Sequence, residues 1–91
     1  MTDIVALRKD AVESAQKAVA FDDEGKYEES CKFYIRAAEK LKLLSTTDEN
    51  TYNKETYKKK AMEYCERAAK LKALIKNAEE KKNEPIIEGG G

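Results

Sequence analysis

Three groups of side chains in this sequence are of types that could do chemistry. Acidic residues cluster at Asp22-Asp23-Glu24 and Glu28-Glu29. Paired carboxylates work as general acid and base when an apolar pocket raises the pKa of one of them. Here they flank Gly25 in a polar stretch, which predicts a solvated turn. Cys31 and Cys65 could serve as reactive thiols or a redox pair. Both fall on apolar stripes and away from a helix start, so the plainer expectation is two small buried hydrophobes. Lys58-Lys59-Lys60 is a basic run bordering an apolar row, suited to a solvated face or to an acidic partner. Histidine and tryptophan are absent. That removes Ser-His and Cys-His nucleophile pairs, histidine metal sites and imidazole switches. Two cysteines cannot form a four-thiolate zinc site or the disulfide framework of a small secreted domain. No catalytic residue, metal or cofactor is expected.

The elements that carry these groups follow from composition and spacing. The chain has 91 residues, enough for a single small domain with one modest core. Charged residues make up 40% and hydrophobic ones 41%, with one proline and four glycines, a balance that suits long amphipathic helices. No apolar run reaches the length of a membrane span, and Met1-Thr2-Asp3-Ile4 lacks the layout of a signal peptide. A reducing, cytoplasmic setting is therefore expected. The net charge is zero but uneven. Residues 1–53 carry 8 basic and 11 acidic side chains, net −3, whereas residues 54–82 carry 10 and 5, net +5. No aromatic motif accompanies the basic stretch, so nucleic acid is not expected as a partner.

Three periodic blocks stand out. Ile4, Leu7, Ala11, Ala15 and Ala18 recur at helical spacing, with Val5, Val12 and Val19 as a second row. Thr2 or Asp3 can cap this first helix, and Gly25 can end it. Tyr27, Cys31, Tyr34, Ala38 and Leu41 mark a second helix, from Tyr27 to about Leu44. The polar stretch 45–51 reads as a loop, with Thr46 and Glu49 as a possible capping box. Tyr57, Ala61, Tyr64, Ala68, Leu71, Ile75 and Ala78 keep the rhythm of a third helix that starts within 47–53 and ends near Lys82. Met62, Cys65 and Ala69 adjoin it. Residues 83–91, with Pro85 and three terminal glycines, read as a tail or linker. The fold expected is all-α, an antiparallel up-down-up three-helix bundle with a long third helix that overhangs or frays. Such a bundle leaves grooves that no fourth helix fills. Small residues on their walls (Cys31, Ala38, Cys65, Ala69) leave space for large side chains of a peptide.

Asp22-x-x-Gly25-x-Tyr27-Glu28-Glu29, then Tyr34-x-x-Ala37, then Tyr64-x-Glu66-Arg67-Ala68-x-x-Leu71-Lys72 together resemble the MIT (microtubule-interacting and trafficking) domain. The resemblance covers residues 4–76. It is more specific than a tetratricopeptide match, which needs several 34-residue repeats. It implies a three-helix bundle without enzyme activity that docks C-terminal tails of ESCRT-III-type filament proteins. One class of tail is an amphipathic helix lying between helices 2 and 3. The other is an extended, proline-containing peptide lying between helices 1 and 3. Carried over by position, the helix 2–3 groove would use Cys31, Tyr34, Ile35, Ala38, Met62, Cys65, Glu66 and Ala69. Cys65 stands where the family has a larger leucine, and Glu66 matches an acidic position suited to an arginine of the partner. The helix 1–3 groove would use Ala11, Ala15, Ala18, Tyr57 and Lys60. Arg67 is expected to brace the bundle through an acid, with Asp22 as the candidate.

The resemblance also implies a role: an adaptor that recruits a larger host, such as an AAA ATPase, to ESCRT-III at endosomal or other membranes. The isolated domain would be monomeric and its affinity micromolar, because a short peptide buries little area and loses entropy on ordering. Two readings compete. Helix 3 could extend into a coiled coil with another chain through its Tyr57–Ala78 row, although tyrosine and alanine are poor coiled-coil residues. Alternatively, Lys54, Lys58, Lys59 and Lys60 could bind microtubules or anionic membranes in a salt-sensitive way.

Overall fold

The computed structural model describes residues 3–83, which form α1 (Ile4–Asp23), α2 (Tyr27–Thr47) and α3 (Thr51–Asn83). Asp3 caps α1, its carboxylate accepting from the Val5 and Ala6 amides at 3.0 and 3.2 Å. Gly25 stops α1 as expected. Its φ of +78° is a left-handed conformation that costs a glycine little. The chain turns there through hydrogen bonds donated by the Gly25 amide to the Asp22 carbonyl and by the Lys26 amide to the Phe21 carbonyl. Glu28 and Glu29 then occupy the first turn of α2, where carboxylates complement the helix dipole. This acidic pair therefore has a structural role.

The second connection departs from expectation. α2 continues past Leu44 to Thr47, and in this last turn the hydroxyls of Ser45, Thr46 and Thr47 donate back to carbonyls of the preceding turn at 2.6–2.8 Å. Thr46 is thus inside the helix, and the capping box with Glu49 does not form. Asn50 opens α3 instead, its side-chain oxygen accepting from the Asn53 amide at 3.0 Å. The start of α3 at Thr51 lies within the window read from the sequence.

Residue pairings show the antiparallel order. Leu7 and Ala11 of α1 share a core cluster with Ala38, Leu41 and Leu44 of α2 and Ala61 of α3. At the other end, Ala18 joins Cys31 and Tyr34 with Ala68 and Leu71. Small residues let the helices approach closely. Where Ser30 meets α1, its buried hydroxyl donates to the Ala18 carbonyl at 2.6 Å. Where Cys31 meets α3, its thiol donates to the Ala68 carbonyl at 3.6 Å. Leu71 and Leu44 are almost fully buried, each worth about 2 kcal/mol of apolar transfer.

α2 lies against both neighbours, but α1 and α3 stay apart. Among the described residues no Cα of α1 comes within 8 Å of a Cα of α3. α3 is also much longer than its partners. Its 33 residues span about 50 Å, against about 30 Å for the 20 residues of α1. Beyond Leu71 it projects past the bundle, with Leu74 exposed and Ile75 half-buried. The boundary read at residue 82 falls beside the end of α3 at Asn83, and residues 84–91 of the tail lie outside the described residues.

Candidate functional site

The gap between α1 and α3 is an open cleft of about 460 Å³. Ala11, Val12, Ala15, Gln16 and Val19 form its α1 wall, Leu41 of α2 its floor, and Lys60 and Tyr64 its α3 wall. The heptad spacing of Val5, Val12 and Val19 places them in one row along α1. All three are exposed, at 69, 55 and 45%, and the latter two border the cleft. Tyr64 is held in place from behind, its ring 5.6 Å from that of buried Tyr34.

Each end of the cleft is closed by a polar clasp. At one end the Arg67 guanidinium grips Asp22 with two bonds, 2.7 Å from Nε and 2.6 Å from Nη2. The Tyr34 hydroxyl donates to the same carboxylate at 3.0 Å. Arg67 holds the Asp22 carboxyl below its usual range, with help from Tyr34 and against the effect of burial. The reverse holds for Tyr34, whose phenol is pushed up by burial and by donating to Asp22. The brace between Arg67 and Asp22 expected from the resemblance is present.

At the other end Asp48, in the loop between α2 and α3, gathers four donors. These are the Asn50 amide at 2.9 Å, Arg8 Nη2 at 2.8 Å, Asn53 Nδ2 at 3.0 Å and the Tyr57 hydroxyl at 3.2 Å. Arg8 Nε also donates to the Tyr57 oxygen at 2.9 Å. The Asn50 amide and the Arg8 guanidinium lower the Asp48 carboxyl to about 2. Sequence reading treated Asp48 only as a loop residue. Nothing local marks it, because Arg8, which completes the cluster, is 40 positions away.

The residues proposed for the helix 1–3 groove divide accordingly. Ala15 and Lys60 line the cleft, and Ala11 lies at its base, almost fully buried in the core. Ala18 does not line it, being fully buried against Cys31 and Leu71. Tyr57 sits in the end clasp. Val12, Gln16, Val19, Leu41 and Tyr64 were missed as lining residues, although the seven-residue spacing of the valines was a usable signal. The helix 2–3 set also divides. Cys31, Tyr34 and Ala38 are buried in the core and offer a surface peptide almost no area. Ile35 and Cys65 are half-buried, while Met62, Glu66 and Ala69 are exposed on α3. Met62 is 63% exposed, one turn from Cys65.

The sequence that folds into these three helices has a counterpart among known protein families. The family model of the MIT (microtubule interacting and transport) domain matches residues 9–73. The chain belongs to the MIT domain family. MIT domains are non-catalytic protein-interaction modules, in keeping with a site made of apolar walls and structural ion pairs. This MIT domain is similar to the vacuolar protein sorting-associated protein 4 of Dictyostelium discoideum, at 31% identity over 90 residues. The aligned stretch is 99% of this chain and 20% of that relative, so the chain spans about a fifth of the relative's length. No solved structure matches it. Among the described residues, no helix of the MIT domain is long and apolar enough to cross a membrane, and no cluster of metal-ligating side chains occurs.

Proposed function

We propose that this MIT domain docks C-terminal tails of ESCRT-III filament subunits, and so brings a larger host, an AAA ATPase of the vacuolar-sorting type, to its polymer at endosomal membranes. The observation that carries the reading is the α1–α3 cleft, apolar along its length and closed at both ends by clasps that need no ligand. It suits an extended peptide with branched apolar side chains. Such side chains fit over Ala11 and Ala15, Gln16 can bond the peptide backbone, and Lys60 can meet an acidic residue. Lys60 makes no ion pair among the described residues.

An amphipathic helix as second ligand is supported by the exposed row Met62, Glu66 and Ala69, which flanks Cys65 on another face of α3. Affinity for either tail should be micromolar, with strength gained from many copies along a filament. The test is a nitrogen–proton NMR titration with one peptide of each kind. Shifts at Val12, Ala15, Val19 and Lys60 with the extended peptide support the cleft. Shifts confined to Met62, Cys65 and Ala69 move the site to the other face. No shift with either peptide at about millimolar concentration, where even weak binding registers, rejects the docking reading.

A further inference from the structure

We propose that the segment Glu84-Pro85-Ile86-Ile87-Glu88 of one molecule occupies the α1–α3 cleft of a second copy, in competition with the partner tail. This rests on the reading of that cleft as a peptide site. Four observations converge on the segment. First, its chemistry matches. Two β-branched side chains follow a proline, and a glutamate stands at each end. Proline disfavours helix for the residue before it, so Glu84-Pro85 is biased toward an extended chain. The small side chains of Ala11 and Ala15 leave room for isoleucines against Val12, Val19 and Tyr64.

Second, the charges are complementary. Asp22 and Asp48 are each engaged by an arginine, and Lys60 on the α3 wall has no ion-pair partner among the described residues. The cleft therefore presents positive charge to a segment whose charged side chains are all acidic. Third, the lengths agree. Ala11 to Val19 spans about 12 Å of helix. The four residue steps from Glu84 to Glu88 span at most about 14 Å when extended.

Fourth, the reach decides which cleft is filled. Tyr64 lies 19 residues before Asn83 on α3, about 28 Å along the helix. Ile86 is three residues past Asn83 and can return by only about 10 Å. A molecule cannot place its own isoleucines in its own cleft, so the contact must be made between copies. A contact of this kind is head-to-tail unless two molecules exchange segments reciprocally. Its consequence is regulatory. As protein concentration rises, clefts fill with neighbouring segments. At the concentration where half are filled, apparent affinity for a partner tail falls twofold.

The experiment is an NMR dilution series on the 91-residue chain, repeated on the double variant Ile86→Asp, Ile87→Asp. These positions lie beyond the three described helices, so the thermal midpoint should be unchanged, which circular dichroism checks. The expected result is concentration-dependent shifts at Val12, Ala15, Val19 and Lys60 that vanish in the double variant. A synthetic peptide of residues 83–88, added to the double variant, should restore them. Absence of concentration-dependent shifts overturns the proposal. So do shifts confined to Leu74, Ile75 and Ala78 that persist in the variant, since they would mean pairing of α3 with α3. An extended ESCRT-III tail peptide, added to the double variant, separates the two readings. If it fills the cleft while the 83–88 peptide does not, only the self-docking proposal falls. If neither fills it, the reading of the cleft as a peptide site falls as well.

Discussion

α3 meets α2 along a sealed seam and faces α1 across an open cleft. The seam has small residues on both helices, whereas the cleft sets the alanines of α1 against the long side chains of Lys60 and Tyr64. In the seam Ala38, Ala61 and Ala68 are buried, and the Cys31 thiol reaches the Ala68 carbonyl. Across the cleft Ala11 and Ala15 face Lys60 and Tyr64, and no backbone approach closes the gap. The links between α1 and α3 are long side chains instead: Arg8 to Tyr57 and Asp22 to Arg67. A guanidinium and its acceptor span more distance than two alanines in contact. These clasps therefore hold the helices at a separation that leaves Val12 and Val19 unpacked. The lesson is that an exposed apolar row can be maintained by polar groups at its ends.

Emptying the seam should have the largest effect. Leu71→Ala removes a fully buried side chain between the helices. It should cost about 2–5 kcal/mol, read from urea denaturation at constant m-value. A loss below about 1 kcal/mol would mean that the seam tolerates a cavity and is not well packed. Breaking a clasp comes next. Asp22→Asn leaves Arg67 and Tyr34 without their charged acceptor and should cost about 1–3 kcal/mol. The lower end is expected, because Arg67 is 40% exposed and water can replace the bond. Its separate signature is altered NMR shifts at Val12 and Val19 as the cleft changes width. An unchanged cleft would refute the role assigned to the clasp.

Acid should act on both clasps together. Asp22 and Asp48 have folded-state pKa values below the unfolded value of about 3.9, with Asp48 at about 2. Their stabilisation is complete above the unfolded value and is lost as pH falls through the folded one. Stability should therefore decline between about pH 4 and pH 2. In Asp48→Asn that acid limb should be shallower.

The smaller effects sharpen the comparison. Gly25→Ala meets no neighbouring atom, so only its positive φ is penalised, by about 1 kcal/mol, without change in cleft shifts. Val12→Asp lies on an exposed row and should change stability by only about 0.5 kcal/mol. It should nevertheless abolish binding of an extended tail in the titration. Retained binding would move the site away from the cleft.

Much of this molecule was legible in the sequence, for local reasons. A 3.6-residue periodicity, a capping aspartate and a glycine at the first turn set three helices and the first hairpin, since each signal acts within a few residues. Arg67 and Asp22 are both motif positions, which made Asp22 a candidate partner of Arg67, and the folded chain brings the two into contact. What could not be read locally was the choice between a residue that lines a groove and one that fills the core. Cys31, Tyr34, Ala38 and Ala18 have the size and spacing of groove residues, yet they are buried, because helix rotation in a bundle is fixed by all three helices packing at once. Arg8 and Asp48 are ordinary charged residues in the sequence, and only the folded chain brings them within 2.8 Å. The sequence by itself determined the helices, their order and the family. The tertiary structure decided that α1 and α3 stand apart, because their separation is set by pairings between residues more than forty positions apart, and no local pattern carries that information.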